Sequence, residues 1–358
     1  MKKFIVGQVE PQGIESILNL ISDPEIKQRV SDFWFKACIG YIDSVAKLSE
    51  KIGKEDLSSA EAEKLFFQLT DYIMDEARII ENEVKQKIII NKIKDAFREL
   101  VGEWIYKGAI VKRGFEKPRG YPGDYKVIEE VYDNAPLSKG IGYYSDKYFL
   151  SNEYAVAVRN RKDKMKEILL SFFVEESNKP VRILNLACGS CREIKEVFTD
   201  KGLKIKNKLV FSLLDQDEEA LDFARNSLKD FTHNVTFDFL KDDVLSLARK
   251  KESKEGLKDF DLVYSIGLAD YLPDRLLKSF VKFCIEVLKP TGKFIIAHKD
   301  IEICKPTPPA WFCDWNFYGR NERDLKNLIA SSEAGKFKIE KTIREESGRI
   351  FFLVVAKE

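Results

Sequence analysis

The chain has 358 residues, enough for two domains that each bury a core. Apolar residues make up 44% and charged residues 33%, and 60 basic against 59 acidic residues leave a formal charge of +1. That balance excludes a global field drawing in nucleic acid or an anionic membrane, and no segment reaches the roughly 20 apolar residues that span a bilayer.

The opening stretch, MKKFIVGQVEPQG, is too short in apolar residues for a signal peptide. Segment 24–52 reads as helix, starting at Asp23-Pro24, a cap followed by a first-turn proline, and stopping at Gly53. Segment 59–106 starts after Ser58 or Ser59 and has apolar residues three and four apart, as one long helix or two joined near 83–86. Residues 1–113 are therefore expected to form an all-α domain, a packed bundle without chemistry.

At Gly114 the texture changes. Residues 114–161 concentrate Gly, Pro, Tyr and Arg in a way that no amphipathic helix would. Tyr121-Pro122-Gly123-Asp124 reads as a turn, followed by a helix to about Tyr132. A lid or ligand clamp over 114–165 and an interdomain connector are both open readings.

From residue 181 strands alternate with helices. Strands are expected at 181–187, 208–214, 235–239, 260–266, 293–298, 337–344 and 349–356, with helices at 191–201, 217–228, 244–250 and 274–288 between the first five. Apolar runs separated by helices indicate a parallel sheet buried on both faces, and the last two strands an antiparallel hairpin about Glu346-Ser347-Gly348. Residues 166–358 are expected to form an α/β domain with a Rossmann-like, doubly wound, seven-stranded sheet.

Ligands of such sheets bind beyond the carboxyl ends of the strands. Ala187, Cys188 and Gly189 follow the first strand, and their small side chains let the backbone pass under a ligand. The dinucleotide fingerprint needs three spaced glycines, and this loop has one, which suits a cofactor without phosphates. Asp215-Gln216 ends the second strand, where a carboxylate can accept from both hydroxyls of a ribose, while Asp217 can cap the next helix. After the third strand, Asp243 can accept from an adenine amino group and Val244 pack on the ring. Ser265 and Gly267 end the fourth. Cys188-x-x-Cys191 lacks partners for a metal: there is no second such pair, and the only histidines are His233 and His298. These two and the other four cysteines, Cys38, Cys284, Cys304 and Cys313, read as reduced thiols of a cytoplasmic protein.

Four blocks give these residues a family likeness: KPRGYPGDYKVI (117–128), YFLSNEYAVAVRNR (148–161), LNLACGSCREI with LLDQDEEAL (184–194, 213–221), and YSIGLADYLPD with DWNFYGR (264–274, 314–320). Over roughly residues 110–358 the chain resembles a bacterial class I methyltransferase family, typified by the enzyme that makes the 3-hydroxypalmitate methyl ester signal. The sequence departs from that pattern at Ser190-Cys191, Ala269 and Gly319. The resemblance implies S-adenosyl-L-methionine as cofactor and a small-molecule acceptor, a fatty-acid-like carboxylic acid.

A carboxylate acceptor is already ionised at neutral pH and needs donors to orient it rather than a base. Arg320, Tyr318 and Tyr271 are the candidate donors; for a hydroxyl or amine acceptor His298 would be the base, against a strand-end histidine bonded to backbone. Arg159 or Arg119, with Tyr121 and Asp124 in the same segment, would hold the cofactor's own carboxylate by a bidentate bond, while Arg161 reads as solvated. Two other functions stay open: methylation of a protein side chain docked by the helical domain, and a cofactor-binding regulatory module without turnover.

Overall fold

The computed structural model describes residues 12–175, 179–200, 207–249, 256–304 and 307–358. Residues 1–11 of the N-terminal stretch and positions 201 and 250, the expected ends of two helices, lie outside them. The chain forms two compact units. The first takes the chain up to Gly123, Asp133–Asn152 and Pro306–Asn316; the second takes Asp124–Tyr132, Glu153–Lys305 and Phe317–Glu358. The stretch 114–165 is thus divided between the two.

The first unit is helical: α1 (Gln12–Leu18), α2 (Pro24–Asp32), α3 (Ile39–Gly53), α4 (Ser59–Glu83), α5 (Lys87–Ile105) and α6 (Ala109–Glu116). Asp23 caps α2 by accepting from the Glu25 and Ile26 amides, and a one-and-a-half-turn π segment, Phe33–Cys38, carries α2 into α3. Ser58 and Glu61 form a capping box on α4. The long apolar stretch is two helices, broken at residues 84–86. Their buried positions recur three and four apart, Phe66, Thr70, Ile73, Met74, Ala77 and Ile80 on α4, and Ile93, Phe97, Val101 and Ile105 on α5.

Most of 114–161 is also helical, which corrects the expectation from its composition. After α7 (Tyr125–Asp133), in the second unit, come α8 (Ile141–Ser151) and α9 (Glu153–Glu175). The sequence hides α8 because it is buried nearly all round, so its polar residues mark no solvent face. Ser145 donates to the Ile105 carbonyl at 2.6 Å, and Asp146 accepts from the amides of Ile110, Leu137 and Ser138.

The second unit holds seven strands: β1 (Val181–Leu186), β2 (Leu209–Asp215), β3 (Val235–Lys241), β4 (Phe260–Ser265), β5 (Leu288–Lys299), β6 (Phe337–Arg344) and β7 (Ile350–Lys357). Their order is β3-β2-β1-β4-β5-β7-β6. The first five pair in parallel, and β7 joins β5 and β6 antiparallel. Helices α10 (Arg192–Phe198), α11 (Glu218–Leu228), α12 (Val244–Arg249) and α13 (Asp274–Glu286) link the parallel strands. This is the expected Rossmann-like α/β fold. Beyond β5 two more helices went unread in the sequence: α14 (Thr307–Cys313), which belongs to the helical unit, and α15 (Glu322–Ala330). Strand order reverses at β1, between β2 and β4, opening a crevice at the carboxyl ends of β1 and β4.

Candidate active site

Pairing of Leu186 with Leu214 brings the loop after β1 alongside the tip of β2. Three residues of that loop, Ala187, Gly189 and Cys191, adopt left-handed backbone, each with φ of 54°. Only glycine does so without strain, so the other two mark a loop held in place by its surroundings. Asp215 does the holding. It is buried, with one oxygen accepting from the Gly189 amide at 2.8 Å and the other from the Asp217 amide at 3.0 Å. Burial pushes its carboxyl up, and the amides of Asp217 and Gly189 pull it back. Each oxygen keeps a further lone pair, so the carboxylate can still accept from a ligand's hydroxyls. A β-carbon on Gly189 would meet nothing within 4 Å, so the loop leaves open space there.

Asp217 caps α11 through the Glu219 amide, and Gln216 is exposed. After β3, Asp243 is exposed and accepts from the Leu245 amide, while Val244 is buried. Cys188 and Cys191 are buried free thiols raised by burial. Among the described residues no cluster of His, Cys, Asp or Glu has the makings of a metal site.

At the tips of β4 and β5 the chemistry is different. Asp270, in the 3₁₀ turn Ala269–Tyr271, is buried and accepts from the Lys299 amide at 3.1 Å, with His298 Nδ1 at 3.2 Å. His298 is fully buried; its Nδ1 lies 2.7 Å from the Lys299 carbonyl and its Nε2 3.2 Å from Arg320 Nη1. Arginine can only donate, so Nε2 accepts and the ring proton sits on Nδ1. Both ring nitrogens are therefore occupied, the arrangement of a strand-end histidine bonded to backbone. Arg320 is buried as well. Its donors reach Asp274 through Nε and Nη2 (3.0 and 2.6 Å), the Leu272 carbonyl (2.7 Å), the Ala269 carbonyl (3.5 Å) and His298. All five N–H groups are engaged. Tyr318 is 49% exposed, and Tyr271 is half-buried with its ring 5.6 Å from Phe317.

Arg161 is not solvated. It is buried on α9 in register with Tyr154, Ala157, Val158 and Met165, a three- and four-residue spacing that was present in the sequence and outweighed by the charged run around it. A β-carbon on Gly267, at the tip of β4, would lie 3.9 Å from both its terminal nitrogens, and Tyr132, Tyr154 and Asp270 face it. Arg159 is half-buried and donates to the Val131 carbonyl at 3.3 Å. Asp124 caps α7 through the Val127 amide at 3.0 Å. Arg119 and Tyr121 are half-buried residues of the helical unit.

Arg161 Nε, Ser265 Oγ and Lys299 Nζ are buried and have no hydrogen-bond partner among the described residues; the same holds of Ser332 Oγ, which lies away from the strand tips. Ser265 and Lys299 end β4 and β5, and Arg161 stands beside the Gly267 tip. Buried polar groups are nearly always bonded, so exceptions gathered at strand ends point to a ligand's place.

Residues 177–347 match the family model described as methyltransferase domain. The chain carries a methyltransferase domain. No curated protein matches the chain. Solved structures similar to it include a possible exported protein from Bordetella parapertussis (13% identity, 94% of this chain and 99% of that one, TM-score 0.49). Others are magnesium protoporphyrin IX methyltransferase from Synechocystis PCC 6803 with bound SAM (11%, 58% and 85%, 0.42) and an O-methyltransferase family protein from Burkholderia thailandensis (15%, 60% and 62%, 0.41). The methyltransferase's strand tips fit S-adenosylmethionine: a one-glycine loop, an acidic residue with spare lone pairs at the end of β2, and an orphaned guanidinium nitrogen beside β4. Among the described residues no helix is long and apolar enough to cross a membrane.

Proposed function

We propose that this methyltransferase transfers the methyl group of S-adenosylmethionine to a small carboxylic acid, giving a methyl ester. One observation carries the choice of acceptor: His298 has both ring nitrogens engaged inside the protein, while Lys299, the next residue, is a buried cation with no hydrogen-bond partner among the described residues. The first leaves no histidine base to deprotonate a hydroxyl or ammonium; the second favours an acceptor that arrives as an anion. The resemblance to the ester-forming family in the clamp and strand-tip blocks supports the same reading.

The sulfonium supplies an activated methyl group when bound, so the protein's work is placement. We assign the ribose hydroxyls to Asp215, the space over the backbone to Ala187, Cys188 and Gly189, and the adenine to Asp243 and Val244. Arg161 replaces Arg159 and Arg119 as partner for the cofactor's carboxylate, because it alone of the three is buried at a strand tip with an unpaired nitrogen. Arg320 becomes a positioning residue that fixes His298 and the 269–274 turn. Tyr271 stays a candidate donor at the acceptor's side. Residues 114–165 we read as the lid segment, following the bundle of 1–113 and leading into the catalytic domain of 166–358. The location is read as cytoplasmic, which the six buried free cysteines support.

The test is methyl transfer from labelled S-adenosylmethionine to a panel of fatty acids, amines and alcohols. Organic-soluble label released by mild base is expected from the acids. Label that survives base, on an amine or on protein, would contradict the proposal.

A further inference from the structure

The tip of β5 holds a buried lysine whose ammonium has no hydrogen-bond partner among the described residues. Lys299 is fixed by its neighbours: its amide donates to Asp270, and the residue pairs with Ile350 across β7. Its side chain is fully buried, and Nζ has no hydrogen-bond partner among the described residues. What surrounds it is aromatic. Nζ stands 2.7 Å from the centre of the Phe317 ring and 5.3 Å from that of Tyr154. Tyr154 meets Phe317 edge-on at 5.0 Å, and Tyr271 lies 5.6 Å beyond.

A ring face offsets part of an ammonium's desolvation, yet it cannot replace three hydrogen bonds. Apart from Arg161, assigned above to the cofactor, the charged groups around Lys299 have partners of their own. Asp270 serves the Lys299 amide and His298, Arg320 has all five N–H groups taken up by four acceptors, Arg349 pairs with Glu153, and Arg344 with Asp300. Burial lowers the ammonium to about 7, against the opposing pull of Asp270 and Cys304. A buried cation without a counter-ion gains most from a ligand that brings one.

We infer that Lys299 receives the carboxylate of the methyl acceptor, with half-buried Phe317 as the ring the acceptor displaces to reach it. This rests on the ester-forming reading above and adds the residue that selects an acid over an alcohol. Lys299 is then the specificity-determining group, and the aromatic wall of Tyr154, Tyr271 and Phe317 suits an apolar acid.

The experiment uses full-length protein with S-adenosylhomocysteine, lysines labelled with ¹³C at Cε, and decanoate as probe. The Lys299 resonance is the one missing from Lys299→Met. Its titration midpoint, near 7 without probe, should rise by more than about one pH unit with saturating decanoate and stay put with decanol. Lys299→Met should lower kcat/KM for decanoate about 100-fold with S-adenosylhomocysteine affinity within about twofold, and Lys299→Arg should recover part of it. A midpoint unmoved by decanoate overturns the inference, as does full activity in Lys299→Met. The ester reading fails separately: a shifted midpoint with no methyl decanoate formed keeps Lys299 as the acid's receptor and removes the reaction.

Discussion

Two strand tips of the same sheet use buried charge in opposite ways. At the end of β2 the Asp215 carboxylate is satisfied by backbone amides on both oxygens, and in return it holds a loop with two non-glycine residues in left-handed backbone. At the end of β5 one charged cluster is closed and its neighbour is open: Arg320, His298, Asp270 and Asp274 satisfy one another, while the Lys299 ammonium has no hydrogen-bond partner among the described residues. The contrast separates preorganisation from vacancy. A satisfied network sets shape before a ligand arrives; an unsatisfied one destabilises the free protein and is repaid on binding.

The comparison breaks first at Arg320. If that residue is scaffold, Arg320→Ala should destabilise the protein by roughly 4 kcal/mol, because the buried Ala269 and Leu272 carbonyls and His298 Nε2 lose one charged donor together, at about 1–3 kcal/mol for each buried group left unpaired. Chemical denaturation would show it, and a folded, equally stable variant that has lost only activity would return Arg320 to the acceptor site.

Lys299→Met should do the reverse. The ammonium is depressed from its ordinary value to about 7 by burial, so the unfolded chain holds more protons between pH 7 and about 10. Stability from this group therefore rises with pH across that window, and its penalty is largest below 7. Removing it should stabilise the ligand-free protein by about 2–4 kcal/mol at pH 6, with the gain shrinking toward pH 10. Loss of stability at pH 6 would mean that the lysine supports the fold.

Asp215→Ala is the smallest of the three. It should weaken S-adenosylhomocysteine binding by about 1–3 kcal/mol in calorimetry, the range for donors left unpaired. Unchanged affinity would confine Asp215 to holding the Gly189 loop.

Most of the sheet could be read from the sequence because β1, β2, β4 and β5 carry dense apolar runs and β3 alternates apolar with polar residues, with helices between them. Asp215 and Gly189 could be read because the strand end, the turn and the acid are neighbours in sequence. Arg161, Lys299 and Phe317 could not. Arg161 is surrounded by charged residues (Arg159, Lys162, Asp163, Lys164) that mark a solvent face, and only its spacing from Tyr154 and Met165 gives it away. Lys299 follows a histidine that drew attention first, and its isolation depends on Asp270 and Phe317, remote in sequence. Trp311 shows the same limit in the helical unit: it packs on Phe33 at 5.7 Å and Phe97 at 5.2 Å, more than 200 residues away. Local pattern reveals elements, whereas a site built from distant segments needs the fold.

The central claim is that the acceptor arrives charged and meets a cation, with no base taking part. The pH dependence of kcat/KM for decanoate between pH 6 and 9 tests it most directly, because that parameter reports the free enzyme's essential groups. The acid is ionised throughout this range. As Lys299 loses its proton, kcat/KM should fall above about 7, and His298→Gln should leave the shape of the curve unchanged. A rate that instead rises through neutrality would mean that a group must be deprotonated for transfer, and would contradict the account.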